Sequence, residues 1–314
     1  MTITQLQYVL AVAKYKNFTI AAEKSFVTQP TLSMQIQKLE SEFTIEIFDR
    51  QSQPIKLTKI GELVVKQTES ILKEVNRMKA MIMEDKGDLS GTFILGIIPT
   101  VLPSLVPLFL KTFNKRYPNT NLVIKELKTD EIIAQLKENT IDFGILVTPL
   151  LNENIVEKVL YYEPMVAYVP RNHKLASKSI LEQNDLDVDD ILLLKDGNCF
   201  KENVLNLCGK QTRKNTLNME SGSFSTLINL ADEGFGMTIL PSLISEDISE
   251  SRKKNILLFN NPVPTREISI IHYHNQFRDT FKTELIKVIQ GVIRGKLQFS
   301  SNNVTAPTIS LPIK

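Results

Sequence analysis

At Gly91 the hydrophobic pattern of this 314-residue chain changes its period, and that change limits what the chain can fold into. Before it, apolar residues recur every three or four positions, the signature of amphipathic helices. After it, short apolar runs alternate with amphipathic stretches: strands over 93–98, 122–126 and 143–147, helices over 105–116 and 130–138. That alternation predicts a parallel α/β sheet. A second set starts near Met165, and a strand over 267–273 and a helix over 280–293 close the pattern. The length exceeds one typical domain, so two or three are expected.

The N-terminal ninety residues carry their own punctuation. Thr2 and Gln5 form a capping-box pattern ahead of Ile3, Leu6, Leu10 and Ala13. Asn17 and Phe18 interrupt that helix, and Thr19 is the expected cap of a short second one over 20–25. Thr28 caps a third, with Pro30 in its first turn, where a missing N–H costs nothing. Its apolar stripe is Leu32, Ile36, Leu39 and Phe43. The opposite face, Gln29, Thr31, Ser33, Gln35, Gln37 and Lys38, is amide and hydroxyl with one cation. A merely solvated face would carry more Glu and Lys, whereas these groups read base edges and hold phosphates. A three-helix bundle with a polar surface is the competing reading. Residues 50–57 read as a wing with cations at both ends. The candidate DNA contacts are Gln29, Pro30, Thr31, Ser33, Met34, Gln35, Lys38, Arg50, Gln53 and Lys56.

Thr58 then caps a helix running to about residue 85, with Ile60, Val64, Ile71, Val75, Met78 and Ile82 on one stripe. One isolated helix cannot bury that stripe, so a second subunit is its expected cover and a homodimer with two reading heads follows.

The formal charge of +2 neither favours nor excludes nucleic acid. The first residues lack a basic and apolar leader pattern, and no apolar run reaches the eighteen or so residues of a membrane span. The expected location is cytoplasmic, with no membrane partner. In a reducing compartment a cysteine pair means redox chemistry or metal more often than a structural bridge. Two cysteines and three scattered histidines, His173, His272 and His274, offer no ligand cluster with zinc spacing, so neither metal nor other cofactor is expected.

The two cysteines, Cys199 and Cys208, are nine positions apart. On a single α-helix their Cα atoms would lie roughly 14 Å apart, whereas a disulfide needs about 7 Å or less. Bridging them from a helix therefore requires unwinding it. Two buried thiols with no redox role remain an equal alternative on these residues alone.

Several short motifs stand in one order: Ala21-Ala22, Val27-Thr28-Gln29-Pro30, Ser33, Ile36, Leu39-Glu40, Ile47-Phe48, Arg50, and Leu57-Thr58 with Gly61. In this the chain resembles the LysR-type transcriptional regulators. Thr44 departs from the pattern, since glycine usually ends that third helix. The resemblance implies an all-α winged helix-turn-helix over 1–58 and a dimerising linker helix with a hinge over 59–90. It implies an α/β effector domain over 91–300, similar to periplasmic binding proteins, with two Rossmann-like subdomains, 91–163 with 267–300 and 164–266. A polar tail over 301–314 is expected to be disordered.

Within that family five places resemble the peroxide-sensing OxyR subgroup: Ile98-Pro99-Thr100, Thr129, Asp196-Gly197 with Cys199 and Cys208, Gly234 to Pro241, and Arg266. The resemblance implies that Cys199 reacts with hydrogen peroxide and that Cys208 resolves the product to a disulfide. It implies a pocket of Thr100, Thr129, Gly197, Asn198 and Arg266, the arginine serving as a fixed cation that lowers the thiol pKa. Asn198 stands where the subgroup usually has histidine, and asparagine donates a hydrogen bond but carries no charge. The implied function is a non-enzymatic activator of peroxide-defence genes. Its implied partners are double-stranded promoter DNA, RNA polymerase, further copies up to a homotetramer, and a cellular thiol reductant that resets it. The rivals are a LysR-type regulator of a small metabolite with inert cysteines and a thiol peroxidase enzyme.

Overall fold

The computed structural model describes residues 1–85, 89–194, 199–208, 223–274 and 278–297. The expected tail over 301–314 lies outside them. The chain divides into two compact units, Met1–Asp88 and Leu89–Lys314.

The first unit runs α1 (Ile3–Tyr15), α2 (Phe18–Lys24), α3 (Gln29–Phe43), β1 (Phe48–Asp49), β2 (Lys56–Leu57) and α4 (Lys59–Asp85). The Thr2–Gln5 capping box forms as the sequence indicates. The second helix starts on Asn17 instead of Thr19, because the Asn17 side chain accepts the N–H groups of both Thr19 and Ile20. Asparagine is among the best N-caps for that reason. Leu6, Val9, Val12, Ala21, Ala22, Leu32, Ile36 and Leu39 form the core. Phe43 falls outside it and is half exposed, at the last turn of α3 before the chain reverses at Thr44. Thr44 takes the left-handed conformation, φ 54°, at that reversal. The wing begins earlier than 50–57 suggests: Phe48–Asp49 pairs antiparallel with Lys56–Leu57.

Signature residues of this unit hold the fold together. One oxygen of Glu40 accepts the Ile47 N–H at 2.8 Å and the other pairs with Arg50 at 2.7 Å, fastening the wing to α3. Thr58 accepts the Gly61 N–H at 2.9 Å and so caps α4. A Cβ at Gly61 would stand 2.0 Å from the Ile47 carbonyl oxygen, so only glycine fits there. The early turns of α4 pack on the bundle through Val64, Val65, Ile71 and Leu72, while Ile60, Leu63, Met78 and Ile82 are exposed.

The second unit runs β3 (Gly91–Ile97), α5 (Leu102–Arg116), β4 (Thr120–Glu126), α6 (Thr129–Lys137), β5 (Phe143–Thr148), β6 (Ile155–Tyr168), β7 (Ile180–Leu181) and β8 (Ile191–Leu192). It continues with α7 (Cys199–Leu207), α8 (Phe224–Asp232), β9 (Met237–Pro241), α9 (Ser242–Glu246), α10 (Glu250–Lys253), β10 (Ile256–Phe259), β11 (Thr265–Tyr273) and α11 (Asp279–Leu297). β3 lies parallel to β4 and β5. β11 then runs antiparallel to both β5 and β6, so the sheet is mixed where the alternation predicted a parallel one. The reason is that β6 and β11 are the two crossover strands, and they pair with each other.

β6 is longer than the sequence suggests. It passes unbroken through Glu163 and Pro164, pairing with β11 first and with β9 from Met165 onward. Pro164 sits at that change of partner, where a missing N–H costs least. Two separate cores result. One gathers Phe93, Phe109, Phe113, Phe143 and Phe281 around β3, β5 and α11. The other gathers Tyr168, Phe200, Val204, Cys208, Leu227, Ile239 and Leu240 around β6, β9 and α7. This is the two-subdomain α/β architecture.

Candidate functional site

β11 enters the site with Arg266, one of the largest fully buried side chains of the chain. Its register partner on β6 is Glu163, so the two crossover strands meet in an ion pair. Nε of Arg266 donates to one Glu163 oxygen at 2.9 Å and Nη2 stands 2.7 Å from the same oxygen, both side chains being wholly buried. The outer edge of the guanidinium turns to Thr100, in the loop between β3 and α5. Nη1 donates to the Thr100 hydroxyl at 3.1 Å and Nη2 to its carbonyl at 3.0 Å. The Phe200 ring of α7 covers the guanidinium, 5.3 Å from ring centre to Cζ.

The glycine-rich motif serves the same point from the other subdomain. Gly236 has φ +136°, and a Cβ there would stand 2.3 Å from the Asp190 carbonyl oxygen. The Thr238 hydroxyl donates to the Leu192 carbonyl at 3.0 Å, fixing β9 beside β8. After Pro241 the chain turns into α9 and brings the Leu243 N–H to the other Glu163 oxygen at 3.2 Å. Glu163 thus ties β11, Thr100 through Arg266, and α9 together. Close by on β6, the Tyr161 hydroxyl is buried and has no hydrogen-bond partner among the described residues. Burial first, and the Glu163 charge second, push its pKa well above the ordinary tyrosine value.

The cysteines bracket α7. Cys199 is its first residue, placed by its backbone, with its side chain outside the described ones. Cys208 follows Leu207 and still donates its N–H to the Val204 carbonyl, four residues back, at 3.3 Å. The segment between the cysteines is therefore helical, and the separation of roughly 14 Å applies. Cys208 is buried beside Phe200 and Val204. Burial, and less so the Asp187 charge, pushes its thiol up to about 11. A thiol so protonated is inert until it is exposed. The Gln183 side chain donates to the Leu207 carbonyl at 2.8 Å and holds the end of the helix.

Not every residue expected in this pocket is brought to it. Thr129 opens α6 and is half-buried, with no hydrogen bond to Thr100 or Arg266 among the described residues. Gly197 and Asn198 lie outside the described residues. Arg266 is no bare cation, as its charge is matched by Glu163. Glu163 itself went unread as a site residue, since its partner is 103 positions away. The available signal was an acid and a base at the two crossovers.

On α3 and the wing the candidates divide by whether their side chains are engaged within the unit, Arg50 being both exposed and engaged. Gln29, Pro30, Met34 and Lys38 are exposed on α3, as are Gln53 and Lys56 in the wing. Gln35 accepts from Gln5 at 3.3 Å, Thr31 pairs with Thr28 at 2.8 Å, and Ser33 accepts from Arg50 at 3.3 Å. Arg50 also covers Phe18, with Cζ 5.1 Å from the ring centre. Those four are engaged inside the unit.

Comparison with known proteins follows the same division. Residues 3–62 match the model of the bacterial regulatory helix-turn-helix protein, lysR family, and residues 86–292 that of the LysR substrate binding domain. The chain is 31% identical, over 274 residues, to a Haemophilus influenzae protein named hydrogen peroxide-inducible genes activator, covering 87% of this chain and 90% of that one. A full-length OxyR variant of Pseudomonas aeruginosa superposes with a TM-score of 0.68 at 28% identity, covering 94% of this chain and 95% of that one. A hydrogen-peroxide-bound OxyR variant of Corynebacterium glutamicum gives 0.65 at 25% identity, covering 97% of each.

Proposed function

The chain belongs to the LysR family of bacterial regulatory proteins, and from that premise we propose that it is a DNA-binding transcriptional activator switched by hydrogen peroxide at Cys199. The thiolate of Cys199 attacks one peroxide oxygen and the O–O bond breaks. With one proton taken up, the products are a sulfenic acid and water. The Cys208 thiol then displaces the hydroxyl as a second water and closes the disulfide. The Arg266–Thr100 edge is the place where charge developing on the leaving oxygen would be held.

The observation that carries this reading is α7 itself. Its first residue is Cys199, its second, Phe200, covers the buried Arg266, and Cys208 sits at its far end in the apolar core. Closing the disulfide has to unwind the helix and expose or repack Phe200, Val204 and Cys208, a rearrangement of several kcal/mol at about 1.5–3 kcal/mol per large apolar side chain. Such a change at a subdomain surface alters how effector domains meet, and so the spacing of reading heads. Promoter DNA is read by the exposed side chains of α3 and the wing, RNA polymerase is the downstream partner, and a cellular thiol reductant resets the switch in the cytoplasm. Ile60, Leu63, Met78 and Ile82 of α4 pair the subunits in a homotetramer built from dimers.

The test is to treat the reduced protein with one equivalent of peroxide, alkylate under denaturing conditions and map the cysteines by mass. A Cys199–Cys208 disulfide is expected. Two free thiols after treatment would overturn the proposal.

A further inference from the structure

Glu163 has no part in the redox steps above, yet it is wholly buried and divides its two oxygens between different elements. The N–H groups of its partner can be counted. A guanidinium has five. Nε gives one to Glu163, Nη2 gives one to the Thr100 carbonyl while standing 2.7 Å from the same Glu163 oxygen, and Nη1 gives one to the Thr100 hydroxyl. Among the described residues the second N–H of Nη1 has no acceptor.

Building on the peroxide-sensing reading, we infer that Glu163 is a positioning residue that sets how much of the Arg266 charge reaches Cys199 and how the guanidinium is turned. An unpaired guanidinium acts at a distance through its full charge. One held at 2.7 Å by a carboxylate acts mainly through the hydrogens on its far edge, because the opposite charges largely cancel beyond a few ångströms. Glu163 grips Nε and Nη2, so it fixes the guanidinium plane and leaves Nη1 toward Thr100. Among the described residues the groups facing this carboxylate are Arg266 from β11, the neutral Tyr161 phenol from its own strand and the Leu243 N–H from α9. From α7 the guanidinium meets Phe200, which has no charge. Cys199 is the residue before Phe200, so the paired or unpaired state of Arg266 bears on its thiol.

The experiment measures the rate of Cys199 alkylation against pH in full-length protein carrying Cys208→Ser, alone and with Glu163→Gln or Glu163→Asp. Glu163→Gln releases the cation, and the alkylation midpoint falls by about one pH unit, giving about tenfold faster reaction below it. Glu163→Asp keeps the charge but draws the guanidinium back. Its midpoint stays near the parent's while the peroxide rate falls about tenfold. Equal midpoints in the parent and a folded Glu163→Gln protein overturn the inference. If Glu163→Gln does not fold, a parent-like peroxide rate in Glu163→Asp overturns it. Alkylation uses no peroxide, so a parent whose Cys199 ignores peroxide refutes the function proposed above and leaves the charge assignment separately readable.

Discussion

Around Arg266, an ion pair and hydrogen bonds between 2.7 and 3.2 Å lock Glu163, Thr100 and the start of α9 into one polar knot. Helix α7, beside it, is held by apolar packing of Phe200, Val204 and Cys208 and, at its far end, by the Gln183 hydrogen bond. The polar knot is costly to open, because breaking a buried pair strands a charge. Apolar contacts can be exchanged for other apolar contacts, so the helix is the part that can rearrange. On the proposed mechanism one side serves as a fixed reference and the other as the moving part.

The largest expected effect comes from breaking the fixed side. Arg266→Ala leaves Glu163 charged and unpaired in the interior and lowers unfolding stability by about 3–5 kcal/mol, read by urea titration. A loss below about 1 kcal/mol would erase the contrast. Next is the reactivity of Cys208 in a Cys199→Ser protein. Its thiol, at about 11 against an ordinary 9.0, alkylates about a hundredfold more slowly near neutral pH than after denaturation. The sign also applies to stability. The folded pKa is raised, so the buried thiol's contribution is full below about pH 9 and fades as pH rises toward 11. Equal alkylation rates before and after denaturation would mean that α7 is already open.

A smaller change loosens only the moving side. Val204→Ala removes about two buried methylene equivalents, roughly 1.5 kcal/mol of helix packing. It shifts the disulfide equilibrium against a thiol buffer about tenfold toward oxidised, with Arg266 untouched. The smallest effect lies outside both sides. Thr44→Gly relieves a β-branched residue at φ 54° and gains about 1 kcal/mol in the first unit. The disulfide equilibrium is expected to stay where it was.

How much of this was readable in the sequence depended on range. Local chemistry was legible: the Thr2–Gln5 box, Pro30 in the first turn of α3, the Thr58 cap and the glycine at 61 all act within a few residues. Competition between neighbours was harder, as when Asn17 took the cap expected of Thr19. Strand length was harder too, because the apolar set that starts near Met165 does not show that β6 begins at Ile155 and changes partners at Pro164. The site was half legible. Thr100 and Arg266 are brought together as expected, whereas Glu163 emerges only when β6 and β11 pair. Exposure was least legible of all: Phe43 fits the α3 stripe by spacing but lies beyond the reach of the bundle.

On the proposed mechanism the disulfide forms only by unwinding α7 while the Arg266 knot stays closed. Amide hydrogen exchange, compared in the reduced and peroxide-treated protein, tests it directly. Amides of residues 204–208 are expected to lose their protection on oxidation, while those of β6 and β11 around Glu163 and Arg266 exchange as before. A Cys199–Cys208 disulfide formed with residues 204–208 still protected, or with β6 and β11 opened instead, would contradict it.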